Sequence, residues 1–161
     1  MNKIFLLFCI ITIFISCKTT IKMNAANNNV SSHAIRLKPG DDVREKIEKY
    51  VNENKINAGW LVTCAGSLTT YNIRFANEEK GSAATGHFEI VSLTGTLSKN
   101  GSHMHISVSD STGKTIGGHL LKGCIVYTTA EIVLQSTKSL NFKREKDGST
   151  AWDELKIEQV K

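Results

Sequence analysis

The chain has 161 residues, 40% of them hydrophobic and 22% charged, which suits one globular domain and excludes a disordered or collagen-like polymer. Its net charge of +5 is scattered along the sequence. A nucleic-acid surface usually concentrates its cations in a stripe or patch; none is evident, so the positive balance reads as solvation.

Met1-Asn2-Lys3 is a short positive segment, residues 4–15 are almost wholly apolar, and Ser16-Cys17 closes the run before the polar Lys18-Thr19-Thr20. A membrane-spanning helix needs about 20 apolar residues, so this run has signal-peptide proportions instead. Its end, Phe14-Ile15-Ser16-Cys17, resembles a bacterial lipobox, with Phe14 where most carry leucine. The resemblance implies acylation of Cys17, which becomes the mature N-terminus. An ordinary signal peptide or an uncleaved anchor is the plainer alternative. Residues 1–17 are therefore read as the signal, 18–32 as a polar, aperiodic tether, and 33–158 as the folded domain. The expected location is the cell envelope, as an exported lipoprotein on the periplasmic side or in the outer membrane, held to the membrane by its lipid. Export also makes nucleic acid an unexpected partner. Cys64 and Cys124 remain in the domain, both among apolar neighbours. Export permits a disulfide between them, while isolated cysteines on apolar strands are commonly buried as small hydrophobes.

Residues 33–38 alternate as a strand does, and Pro39-Gly40-Asp41 breaks them. Asp42 is a good N-cap with Glu45 three places on, as in a capping box. The predicted helix carries Val43, Ile47, Tyr50 and Val51 on one face, offers Glu45 and Lys49 as an i, i+4 ion pair, and ends near Asn54. Residues 56–64 read as a buried strand, Ala65-Gly66-Ser67 as a turn, 68–75 as a further strand and 77–85 as a polar loop. Residues 86–93 form the next strand, and a short one follows Gly95 to Leu97. Further strands are predicted over 124–134 and 140–144, with a last one within 152–157. One early helix packed on many short strands is an α+β domain with a mainly antiparallel sheet.

Residues 101–120 hold three of the five histidines and read as a β-hairpin. His103, His105, Ser107 and Ser109 alternate with Met104, Ile106 and Val108, the period of a half-buried strand. Asp110-Ser111-Thr112-Gly113 fits a three-residue loop ending in a glycine at positive φ. Lys114 then lies opposite Asp110, and counting back along both arms sets His105 opposite His119. Directly opposed side chains share a face with Cβ atoms about 4.5–5.5 Å apart, and His103 follows on the same face. A two-residue loop sends His119 to the other face, and Gly117-Gly118 could insert a bulge that spoils the count.

The run Gly101 to Asp110, then Gly113, Gly117-Gly118-His119-Leu120, Gly123-Cys124 and Thr128-Thr129-Ala130-Glu131, closely resembles the PPC domain, the plants and prokaryotes conserved domain. Gly86-His87-Phe88-Glu89-Ile90 is similar to the family's Gly-Arg-Phe-Glu-Ile segment, with His87 where plant members have arginine; Gly66-Ser67-Leu68 and residues 37–41 also fit. The resemblance implies an α+β fold with a mainly antiparallel, partly barrel-like sheet, and a homotrimer. It implies a metal suspected at His103, His105 and His119, and a partner surface at Gly86, Phe88 and Glu89. Plant members carry AT-hooks that enter the minor groove of AT-rich DNA; this chain has no Arg-Gly-Arg-Pro.

Neutral imidazole is the commonest zinc ligand, and three histidines leave a position open. Zinc or another divalent transition metal is thus the expected cofactor. His87 and Glu131 are the candidates for a fourth ligand, a group behind the ligands, or a general base. The bland reading is that these histidines bond backbone or serine partners in a polar trimer core. The leading functional reading is a lipid-anchored trimeric module that binds a metal or small ligand. A metal-dependent hydrolase or lyase at the same cluster, and a DNA- or protein-binding module like the plant proteins, are the alternatives.

Overall fold

The computed structural model describes residues 30–160; the expected signal, Cys17 and most of the expected tether lie outside them. In chain order the elements are β1 (Val30–Leu37), α1 (Val43–Glu53), β2 (Gly59–Arg74), β3 (Ser82–Leu97), β4 (His103–Ser109), β5 (Thr115–Leu120), β6 (Ile125–Thr137), β7 (Leu140–Glu145) and β8 (Glu154–Gln159). The first six strands form one antiparallel sheet ordered β1-β6-β2-β3-β4-β5, and β7 pairs with β8 in a second, two-stranded sheet. With the single helix this is the expected α+β class. The main sheet curls, because β5 returns to the end of β2 through Ile73↔Leu120 and Arg74↔His119. It does not close into the partly barrel-like form expected: the return contact is two residue pairs long, and β1 stays an edge.

The helix forms where its cap says it should. Asp42 Oδ1 accepts from the Glu45 backbone N–H at 3.0 Å, satisfying one of the donors a helix start leaves unpaired. Val43, Ile47 and Val51 are buried against the sheet, each worth about 1.5–3 kcal/mol of apolar burial. The expected Glu45–Lys49 pair does not form. Glu45 instead meets Lys122 at 3.1 Å and Lys49 reaches Glu53 at 3.7 Å, because the β5–β6 connection brings Lys122 over the first turn.

Several strands are longer than the punctuation suggested. β1 starts at Val30 rather than residue 33, since its backbone pairs with β6 from Val30↔Thr137 onward although residues 30–32 are exposed. Ala65-Gly66-Ser67 is not a turn but the middle of the 16-residue β2. Gly66 marks a close crossing there: a Cβ would run into the Thr129 carbonyl and the Ala130 backbone of β6. β3 likewise runs unbroken through Gly95 to Leu97. At the other end β8 begins at Glu154, leaving Trp152 in the loop before it.

The core between helix and curled sheet is apolar, with Leu68, Ile73, Leu97, Met104, Ile106, Leu120, Ile132 and Leu134 all under 3% exposed. Cys64 and Cys124 belong to it as free thiols. Burial pushes each up to about 11. They pack as small hydrophobes, and the disulfide is absent.

Candidate metal centre

The β4–β5 hairpin sets the site, and its turn sets the hairpin. Asp110 N–H donates to the Lys114 carbonyl at 3.0 Å and Gly113 N–H to the Asp110 carbonyl at 3.0 Å, with Gly113 at φ +83°. That is the three-residue loop with a left-handed final residue, a conformation glycine takes without penalty. The Asp110 carboxylate braces it, accepting from Thr112 Oγ1 at 2.6 Å, Thr112 N at 2.8 Å and Lys114 N at 3.1 Å. These bonds, Thr112's hydroxyl first, hold the Asp110 carboxyl below its ordinary value. The register follows without a bulge at Gly117-Gly118: Ser109 opposes Thr115 and His105 opposes His119. Met104, Ile106 and Val108 face the core, and His103 and His105 face out.

The three imidazoles converge on one point. His103 Nε2, His105 Nε2 and His119 Nδ1 are each 3.1 Å from the other two. The His103 and His119 rings stack at 5.0 Å, and His105 stands edge-on to both. Zinc–imidazole bonds of about 2.0–2.1 Å in a tetrahedral arrangement put their nitrogens about 3.3 Å apart, so the donors and their spacing fit such an ion. No arrangement of protons on three mutually adjacent ring nitrogens satisfies every pair, whereas one shared cation does. Burial, then the Arg74 guanidinium, pushes His119 down to about 4. Burial and Arg144 also lower His103. Both shifts favour the neutral ring, the form that binds metal.

His87 and Glu131 stand apart from this cluster. β3 meets β4 through Thr94↔His105 and Thr96↔His103, which leaves His87 at the other end of β3, 4.5 Å from the Tyr127 ring. Glu131 is exposed on β6, opposite Arg36 and Ala65, and β6 pairs with neither β4 nor β5. Phe88 packs on Tyr71 at 4.8 Å with Gly86 against its ring, while Glu89 is exposed.

The sequence reading missed the residues beside the histidines. His103 and His119 open onto a cleft of about 560 Å³ that Arg44, Arg74, Arg144, Trp152 and Glu154 also line. Arg74 arrives because the end of β2 pairs with β5, and Arg144, Trp152 and Glu154 arrive with the β7–β8 hairpin. Both placements are long-range, and no local pattern announces them.

Residues 24–138 match the Plants and Prokaryotes Conserved (PCC) domain, the PPC domain of the sequence comparison. The chain belongs to that family. The PCC match takes in the whole histidine cluster and stops before β7. The chain is 38% identical over 128 residues to the bifunctional protein GlmU of Synechococcus sp. (strain JA-3-3Ab), covering 80% of this chain and 21% of that protein. It thus spans about a fifth of that relative's length. Among solved PCC-like folds, a hypothetical protein from Salmonella cholerae-suis shares 39% identity with a TM-score of 0.80, over 82% of this chain and 96% of that one. A protein from Archaeoglobus fulgidus described as metal-containing shares the fold at 23% identity and a TM-score of 0.67, over 78% of this chain and 92% of that one.

Proposed function

We propose that this chain is an exported, lipid-anchored PCC-domain module that works as a homotrimer and binds one divalent transition metal through His103, His105 and His119, with zinc favoured by the all-imidazole donor set. The observation that carries the reading is the triangle of ring nitrogens, each 3.1 Å from the other two. The metal-containing description of the Archaeoglobus fold relative is in keeping with it. Elemental analysis of the zinc-loaded protein tests the site. One ion per chain is expected, and none in a His105→Ala/His119→Ala variant; a metal-free wild type sinks the reading. Loss of lipid label in Cys17→Ser tests the anchor, and sedimentation tests the trimer.

Hydrolysis at the same centre is the second reading, favoured by the position that three ligands leave open on the ion. The metal would supply Lewis acidity there. Asp153 and Glu154 are the carboxylates that line the same cleft, whereas His87 and Glu131 lie elsewhere.

A further inference from the structure

The cleft next to the histidines carries more positive charge than its own carboxylates neutralise. Arg44 is engaged: its Nε pairs with Glu48 at 2.8 Å and its Nη1 donates to the Leu120 carbonyl at 2.7 Å. Arg74 and Arg144 have no carboxylate within ion-pair distance among the described residues. Arg74 lies over the Trp152 ring at 5.4 Å and donates to the Glu78 carbonyl at 3.1 Å. Arg144 donates from Nη2 to Thr96 Oγ1 at 2.6 Å, and its Nε is buried with no partner among the described residues. The nearby Glu154 accepts from the Thr150 hydroxyl at 2.6 Å and bridges to neither arginine. A guanidinium drawn out of water without an anion is costly, and burial accordingly pulls Arg144 below its ordinary value. The cleft also has apolar lining. Ala76, Leu121 and Trp152 provide it, and Trp152 is 62% exposed.

We propose that this cleft binds a small organic carboxylate, its carboxylate held by Arg74 and Arg144 and its carbon skeleton laid on Ala76, Leu121 and Trp152. Guanidinium forks match a carboxylate two bonds at a time, and about 560 Å³ lies within the range of small-molecule sites. An anion there neutralises the Arg74 and Arg144 guanidiniums, which have no carboxylate of their own among the described residues, and covers the exposed indole. For a second anchor, the ion at the histidines, the proposal rests on the metal reading; the arginine anchor stands on the cleft alone. Arg144 and Trp152 lie beyond the residues matched to the family. Arg74, Ala76 and Leu121 lie within them, so the proposed site is built jointly by the PCC domain and the β7–β8 hairpin.

The test is calorimetric, on the purified full chain. Zinc is titrated first, then malonate, hydrocinnamate and inorganic phosphate, into both metal-free and zinc-loaded protein. A carboxylate probe should bind the wild type more tightly than about 10 mM and lose about tenfold or more in Arg74→Gln and in Arg144→Gln. Zinc affinity in both variants should stay within about threefold of wild type. Lys46→Gln removes a charge outside the cleft and should change nothing. No carboxylate binding, affinities unmoved by both arginine variants, or phosphate binding as tightly as hydrocinnamate each overturns the proposal. A protein that takes no zinc but keeps arginine-dependent carboxylate binding overturns the metal reading and leaves the arginine site standing. Because Arg144 also braces Thr96, Arg74→Gln keeps the test decisive if Arg144→Gln misfolds.

Discussion

The β4–β5 and β7–β8 hairpins both contribute side chains to one cleft, and they are built differently. β4–β5 is joined by a tight loop, sits within the six-stranded sheet and buries Met104, Ile106 and Val108 beneath its histidines. β7–β8 spans a longer connection, stands as its own two-stranded sheet, and is held by Phe142, which is 7% exposed, and by a bond from Phe142 N–H to the Asn57 carbonyl at 2.9 Å. The first hairpin presents three imidazoles at fixed spacing because the strand register relates them. The second brings its groups to the cleft by docking, and touches the first through the Arg144 bond to Thr96, which lies opposite His103. A site built on paired strands is held more precisely than one whose parts meet by docking.

The sharpest way to break this contrast is to hollow out each hairpin in turn. Ile106→Ala should cost about 2–5 kcal/mol and Phe142→Ala about 3–5 kcal/mol in urea unfolding. Zinc affinity should fall with Ile106→Ala and hold with Phe142→Ala. Equal loss of zinc in both would mean that the second hairpin helps to build the ligand set.

A smaller effect comes from the turn. Gly113 sits at φ +83° with open space around it, so Gly113→Ala should cost about 1–2 kcal/mol through backbone strain alone. Because that strain acts on the His105–His119 register, zinc should also dissociate faster. Asp147 braces the other loop, accepting from Ser149 N–H at 2.8 Å and from its hydroxyl at 2.6 Å. Asp147→Ala should leave zinc untouched while weakening any carboxylate held by Arg144.

The smallest effect is in pH. His119 is held neutral in the metal-free fold down to about 4, whereas an unfolded histidine titrates near 6.5. Below that value the unfolded chain takes up a proton the fold refuses, so stability is full above about 6.5 and drains away as pH falls towards about 4. Urea midpoints across this window should decline less in His119→Gln than in wild type. Zinc-loaded protein should resist the decline until protons displace the metal. A wild-type midpoint flat across the window would show that His119 is not shielded.

The elements legible in advance were those whose cause lies within a few residues. The Asp42 cap, the helix face of Val43, Ile47 and Val51, and the period-two arms around Asp110–Gly113 all depend on neighbours close in the chain. Gly66 misled because a glycine that allows a turn and one that lets another strand pass close look alike in a sequence. His87 and Glu131 were drawn towards the cluster by residue type, and β3 and β6 carry them away from it.

By itself, then, the sequence pointed to the histidine triangle: Asp110, Thr112 and Gly113 favour a three-residue loop, loop length sets register, and register places His105 against His119 with His103 beside them, while the structure excluded the two-residue loop and the Gly117-Gly118 bulge. What lies next to the triangle was decided only by tertiary structure. Arg74 meets His119 because the sheet curls until β2 touches β5, and Arg144 and Trp152 arrive on a hairpin docked from the far end of the chain. Contacts of that separation are set by how the whole core closes, which no short stretch of residues encodes.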